Sequence, residues 1–180
     1  GDLSFIADNM DMIGITDGAT AGTGGGRYGK ADIVSFNNVG NIEFRGLNHG
    51  GIGFSRLNSL AFTNTGDISF TDMKMGYSSN GGAIFINQGG NSSLYSNPGD
   101  GNISFDHTGS IIFRNLVKTS YYMSSAGIFT NEGSISFNDT ENILFENNTS
   151  TGGPAAIGIG SIFLPDNQPS LSFRSEDTRL

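Results

Sequence analysis

The amino-acid sequence predicts an all-β fold, a right-handed parallel β-helix with three short strands per coil and about five coils with loop insertions. Three observations carry the prediction. An Ile-x-Phe triplet recurs in pairs eight residues apart: Val34/Phe36 with Ile42/Phe44, Leu60/Phe62 with Ile68/Phe70, Ile103/Phe105 with Ile111/Phe113, and Ile135/Phe137 with Ile143/Phe145. Single copies stand at Leu3/Phe5 and Leu171/Phe173. Within each triplet the apolar residues fall at i and i+2, the period of a strand that buries one face. After each doublet comes a third apolar segment, at Gly50–Phe54, Gly81–Phe85, Ala126–Phe129 and Ala155–Ile159.

Each strand runs only about four to six residues before Gly, Asn, Asp or Thr interrupts it, too short to be stable without stacked neighbours. From Phe36 the equivalent Phe recurs at 62, 105, 137 and 173, in steps of 26, 43, 32 and 36. Stacked strands cannot change length without losing register, so the variation belongs in loops at the corners. Stacking also predicts ladders. Phe36, Phe62, Phe105, Phe137 and Phe173 form one internal column, and Phe5, Phe44, Phe70, Phe113 and Phe145 a second. Two positions after Phe, Asn38, Asn64 and Asp139 form one row and Asp72, Asn115 and Asn147 another, expected on the inward side, where stacked amides bond to each other and to turn backbone.

In chain order, residues 2–16 supply a second strand, a turn at Ala7–Met10 and a third strand ending at Ile13-Gly-Ile15. Residues 17–32 are Gly-rich and contain Gly24-Gly-Gly-Arg-Tyr-Gly29 followed by Lys30, close to a phosphate-binding loop. That chemistry needs a following helix, and Ser or Thr after the Lys. Ala31 and the strand at Ile33–Phe36 stand there instead, so the segment reads as an insertion. Residues 76–80, 89–101 and 117–125 read as loops where coils lengthen. The start falls in a second strand and the finish just after a first, so residues 1–180 read as a single β-helical piece of a longer protein.

The formal net charge of −8 disfavours nucleic acid and anionic lipid as partners. The chain has no cysteine, hence no thiol chemistry or disulfide framework. No apolar run approaches the roughly eighteen residues of a helical membrane span, so no membrane insertion by this segment is expected. The histidines, His49 and His107, lack a second His or Cys at ligand spacing, and His107 falls in the Asn row. No metal or cofactor is expected. Many parallel β-helices are polysaccharide lyases or hydrolases, which gather Asp with Arg or Lys on one sheet. Here Asp67 precedes one strand but Ser59, Ser110 and Ser134 precede others, and no such cluster repeats on one face. Asn91-Ser-Ser93, Asn102-Ile-Ser104, Asn138-Asp-Thr140 and Asn147-Asn-Thr149 fit glycan acceptor patterns, which an Asn- and Ser-rich chain makes by chance. Lys118, Tyr121, Tyr122 and Met123 lie on an inserted stretch. Aromatics there either anchor a partner or pack across a neighbouring coil. Parallel stacking should set residues 117–125 beside the Gly76–Gly82 turn as one patch.

Gly81-Gly82-Ala83-Ile84 and Phe145-Glu-Asn-Asn148, set among Ile-x-Phe strands, resemble the GGA[ILV] and FxxN tetrapeptides of chlamydial polymorphic membrane proteins. The rhythm covers the whole chain. Strict tetrapeptides occur once each, with Gly50–Gly53, Ser125–Ile128, Phe62-Thr-Asn64 and Phe113-Arg-Asn115 as degenerate forms. The resemblance implies an autotransporter passenger, held at the outer membrane or secreted, that acts as a non-enzymatic surface adhesin and antigen. It implies a host-cell surface receptor, protein or glycan, as partner, with Gly81, Gly82, Ala83, Ile84, Phe145 and Asn148 associated with binding. Exposed coil ends add self-association as an expected contact. A polysaccharide-cleaving enzyme and a purely structural stalk are the alternatives.

Overall fold

The computed structural model describes residues 1–6, 13–15, 29–30, 32–48, 50–75, 82–86, 101–119, 125–130, 133–159 and 171–174. The strands are β1 (Leu3–Ile6), β2 (Ile13–Ile15), β3 (Gly29–Lys30), β4 (Ile33–Asn37), β5 (Ile42–Arg45), β6 (Gly50–Arg56), β7 (Ser59–Thr65), β8 (Ile68–Thr71), β9 (Lys74–Met75) and β10 (Ile84–Ile86). They continue with β11 (Asn102–Thr108), β12 (Ile111–Arg114), β13 (Val117–Lys118), β14 (Ile128–Thr130), β15 (Ile135–Thr140), β16 (Ile143–Glu146), β17 (Thr149–Ser150), β18 (Ile157–Ile159) and β19 (Leu171–Arg174). No helix occurs among the described residues. The strand pairings among the described residues are all parallel.

Three sheets follow the predicted strand classes. The first is β4-β7-β11-β15-β19, the second β1-β5-β8-β12-β16, and the third β2-β6-β10-β14-β18 with β3 also on β6. Within each sheet the order is chain order, so each repeat stacks on the one before. A fourth sheet, β9-β13-β17, corrects the expectation of three strands per repeat. Its members are two-residue strands at Lys74–Met75, Val117–Lys118 and Thr149–Ser150. Val117 and Lys118, expected in a loop, are therefore sheet residues. Lys30 lies in β3 and the next element is strand β4, so the phosphate-loop context is absent there. The turn at 7–10, most of the Gly-rich insertion, His49 and residues 76–81 and 87–100 fall outside the described residues.

Both Phe columns form as expected. In the second sheet the rings of Phe5, Phe44, Phe70, Phe113 and Phe145 follow one another at 4.8 to 5.1 Å with planes within 7°. In the first, Phe36, Phe62, Phe105, Phe137 and Phe173 do so at 4.9 to 5.1 Å and within 8°. Strand spacing of about 4.8 Å exceeds the roughly 3.5 to 4 Å at which carbon atoms attract best, so near-parallel rings come into contact by offset stacking, the favoured geometry. Ile42, Leu60, Ile68, Ile103, Ile111 and Ile135 fill the flanking columns and are buried.

The Asn rows point the other way from expectation. All eight described residues two places after these Phe have positive φ: Asn38 54°, Gly46 72°, Asn64 51°, Asp72 56°, His107 51°, Asn115 56°, Asp139 47° and Asn147 54°. One left-handed residue breaks the two-residue alternation, so consecutive side chains face out and the third after Phe turns in. Asn38, Asn64, Asp72, Asn115 and Asn147 are accordingly exposed, while Leu47, Thr65, Met73, Thr108 and Leu116 are buried. Asn, Asp and Gly tolerate this conformation best, and His is enriched there as well, which explains their choice better than inward amide stacking does. The amides do bond to each other, but on the outside: Asn115 Nδ2 donates to Asp72 Oδ1 at 2.9 Å and Asn147 Nδ2 to Asn115 Oδ1 at 3.4 Å.

Candidate functional site

The first tetrapeptide lies inside the stack. Ile84 pairs with Ile52 below and Ile128 above, which aligns Gly82 and Ala83 with Gly50 and Gly51 and with Ala126 and Gly127. Residues 82–84 are buried. Ala83 N–H donates to Ala126 O at 2.8 Å and Ile84 N–H to Gly127 O at 3.0 Å, so two repeats lock together through this backbone. A Cβ at Gly82 would collide with the carbonyl oxygens of Ser125 and Gly127. Glycine here permits a close approach between main chains. Gly81 lies outside the described residues.

The second tetrapeptide packs against the degenerate copy of the first, Ser125–Ile128. The Phe145 ring lies against Gly127, as the Phe70 ring lies against Gly51, and a Cβ on either glycine would press into the ring. Gly51, Ala83 and Gly127 share the third place of the Gly-Gly-Ala register, which must stay small for the aromatic column of the following repeat. Asn148 takes the inward position that Leu47, Met73 and Leu116 take in other repeats. Its Oδ1 accepts Leu116 N–H at 3.0 Å and its Nδ2 donates to Phe113 O at 2.9 Å. One side chain thus satisfies backbone on both sides of the corner at Arg114–Asn115 in the repeat below.

Lys118 does not supply the exposed cation expected of a docking patch. Its residue is 1% exposed, in the inward row Met75, Lys118, Ser150 of the fourth sheet. Burial pushes the ammonium below its ordinary value of 10.5 because the charged form loses hydration. Tyr121, Tyr122 and Met123 lie outside the described residues. The stems of the two inserted stretches are adjacent, however. Val117 pairs with Lys74 and Lys118 with Met75, and Thr119 N–H donates to Met75 O at 3.0 Å. The chain thus leaves the fourth sheet after Met75 and again after Thr119 on neighbouring strands, and Gly82 and Ala126 take neighbouring positions in the third sheet.

Two features were not read from the sequence. One is a ladder just before the second-sheet strands: Asp2 Oδ1 accepts Asn41 N–H at 2.8 Å, Asn41 Oδ1 accepts Asp67 N–H at 2.9 Å, and Asp67 Oδ1 accepts Ser110 N–H at 2.8 Å. A Cβ at Gly40, Gly66 or Gly109 would collide with the side-chain oxygen of Asp2, Asn41 or Asp67 respectively. Above the shorter Ser110 the same place holds Glu141, so the rule is a long acceptor below and a glycine above. The other is a polar corner in which His107 Nδ1 lies 3.1 Å from Asp106 Oδ1 and Nε2 lies 3.5 Å from Asp139 Oδ2 of the next repeat. Among the described residues no three His, Cys, Asp or Glu side chains are grouped to hold a metal ion. The sequence signal for the ladder was the Gly-Asx pair directly before a triplet, at Gly1-Asp2, Gly40-Asn41 and Gly66-Asp67, whereas the single Asp106-His107 pair gave no repeating signal.

Comparison of the chain with protein-family models, curated proteins and solved structures finds no match in any of the three.

Proposed function

We propose that the stacked parallel sheets form a right-handed parallel β-helix and that the chain is a passenger-domain piece of a surface-displayed or secreted bacterial autotransporter. In this reading it is a non-enzymatic adhesin of the chlamydial polymorphic membrane protein type and attaches to a host-cell surface receptor, protein or glycan. The observation that carries the reading is that each tetrapeptide joins neighbouring repeats. Residues 82–84 and the Phe145/Asn148 pair serve contacts between repeats, as a displaying scaffold requires, and the stems of the two inserted stretches, at Met75 and Thr119, are adjacent. Receptor contact then falls to Tyr121, Tyr122 and Met123, with buried residues 82–84 and half-buried Phe145 and Asn148 shaping their support. Lys118 belongs to that support and not to the contact.

The test is binding of the purified chain to host cells, with Tyr121→Ser/Tyr122→Ser as the informative variant. Adhesion should fall while the melting temperature holds. Binding that survives this change but fails in a folded Phe145 variant would return the contact to the tetrapeptides. A chain that binds no cells is a stalk, and one that cleaves polyuronate with calcium is a lyase.

A further inference from the structure

We propose that His107 is a proton-operated clamp between repeats, closing onto Asp139 of the next repeat when the imidazole is charged and releasing it when the ring is neutral. The choice of residue is the first ground. His107 stands in the corner row Asn38, Asn64, His107, Asp139 and is the one ring in it. Its φ of 51° equals that of Asn64 directly below, so Asn would serve the corner as well. Backbone conformation alone does not call for an imidazole. The contacts of the ring are the second ground. Nδ1 lies 3.1 Å from Asp106 Oδ1 on the same strand, and Nε2 lies 3.5 Å from Asp139 Oδ2 on β15. A neutral imidazole carries one N–H, so it donates to one carboxylate and turns a lone pair towards the other, whereas the cation donates to both. The Asp139 side chain is 16% exposed against 52% for His107, so the second contact is the less hydrated one and the less screened.

Asp106 Oδ1 also accepts from Asn138 Nδ2, so the Asp106 end is tied to β15 whatever the charge on the ring. The proton therefore decides the Asp139 end, beside Thr140, whose Oγ1 accepts from Thr108 Oγ1 at 3.1 Å. The neighbouring elements leave the ring to these two carboxylates. Below, β7 places the uncharged Thr63 and Asn64, and above, β15 places Asn138 beside Asp139. Past the corner Glu141 N–H donates to Thr108 O at 3.2 Å and its side chain adds negative charge, while Asp67 accepts Ser110 N–H at 2.8 Å. Arg174 stands one repeat further on, across from Asn138. Between about pH 5 and 8 histidine is the ordinary side chain that changes charge. Protonation adds a bond between repeats, so the joint of β11 with β15 is tightest on the acid side and loosens as pH rises through that interval. The device is independent of what the chain binds.

The experiment compares the 180-residue chain with His107→Asn and Asp139→Asn. The corner accepts both substitutions, since Asn takes the same left-handed conformation at Asn38 and Asn64. Melting temperatures are measured at about pH 5.5 and about pH 8. On going to the higher pH, wild type should lose about 2 to 4 °C more than either variant. His49 is common to all three proteins, so its titration cancels in the comparison. Equal pH dependence in wild type and His107→Asn overturns the proposal, and so does a dependence that survives Asp139→Asn, which would leave Asp106 as the operative partner. Hydrogen exchange at the Glu141 amide, corrected for its intrinsic rate, tests the same joint in wild type alone and needs no folded variant. Protection there should fall between the two pH values, and unchanged protection overturns the proposal.

Discussion

Asn148 occupies a place where neighbouring repeats put Leu or Met, and the reason is visible in its two backbone bonds, to Leu116 N–H and Phe113 O. Removing the amide leaves a partly buried donor and acceptor unsatisfied, so Asn148→Ala should cost about 1 to 3 kcal/mol in denaturant unfolding. The Gly66 and Asn41 pair makes a sharper test of interlock. Gly66→Ala should destabilise, because a methyl meets the Asn41 side chain. In an Asn41→Ser background the same change should cost measurably less, as Glu141 over Ser110 already illustrates, and equal costs in the two backgrounds would refute the coupling.

Lys118 gives a pH-dependent prediction. Its lowered pKa means that the unfolded chain binds this proton more readily than the folded one, so stability rises as pH climbs from the lowered value towards 10.5. Below that window the desolvation penalty is fully present. Lys118→Met, which copies Met75 one repeat earlier, should lose this rise, and unfolding of the two proteins compared across alkaline pH checks it.

At the scale of the element, the strands owe their existence to columns that no single strand can fill. Phe113 is 0% exposed between Phe70 and Phe145, so Phe113→Ala should destabilise by about 3 to 5 kcal/mol. Phe145 has a described ring on one side only and is half-buried, so its truncation should cost less. A reversed order in thermal or denaturant unfolding would misplace the columns. Both columns were legible because Ile-x-Phe carries period two and the doublets share a fixed offset. The fourth sheet was not, since two-residue strands such as Val117–Lys118 have no period to detect.

At the scale of the whole molecule, repetition makes stability a sum of contacts between neighbours, with no centre that a single hydrophobic motif could announce. Circular dichroism of the chain should show strand without substantial helix, and a helical spectrum would contradict the stack. The candidate site was legible only in part. Residues 76–82 and 117–125 were expected side by side, and their stems are, through Val117 on Lys74 and Lys118 on Met75.

By itself the sequence determined the all-β class, the parallel stacking of like strands and the partners of the ten Phe in the two columns, because these depend on period and on hydrophobic burial alone. Only the tertiary structure decided which way the corner residues face. A single positive φ, at Asn38 or Asn115 for instance, moves a side chain from core to solvent without altering the residue pattern. It likewise decided that Lys118 is buried and that Asn148 spans the repeat below, since both depend on which backbone lies across the stack and not on neighbours in the chain.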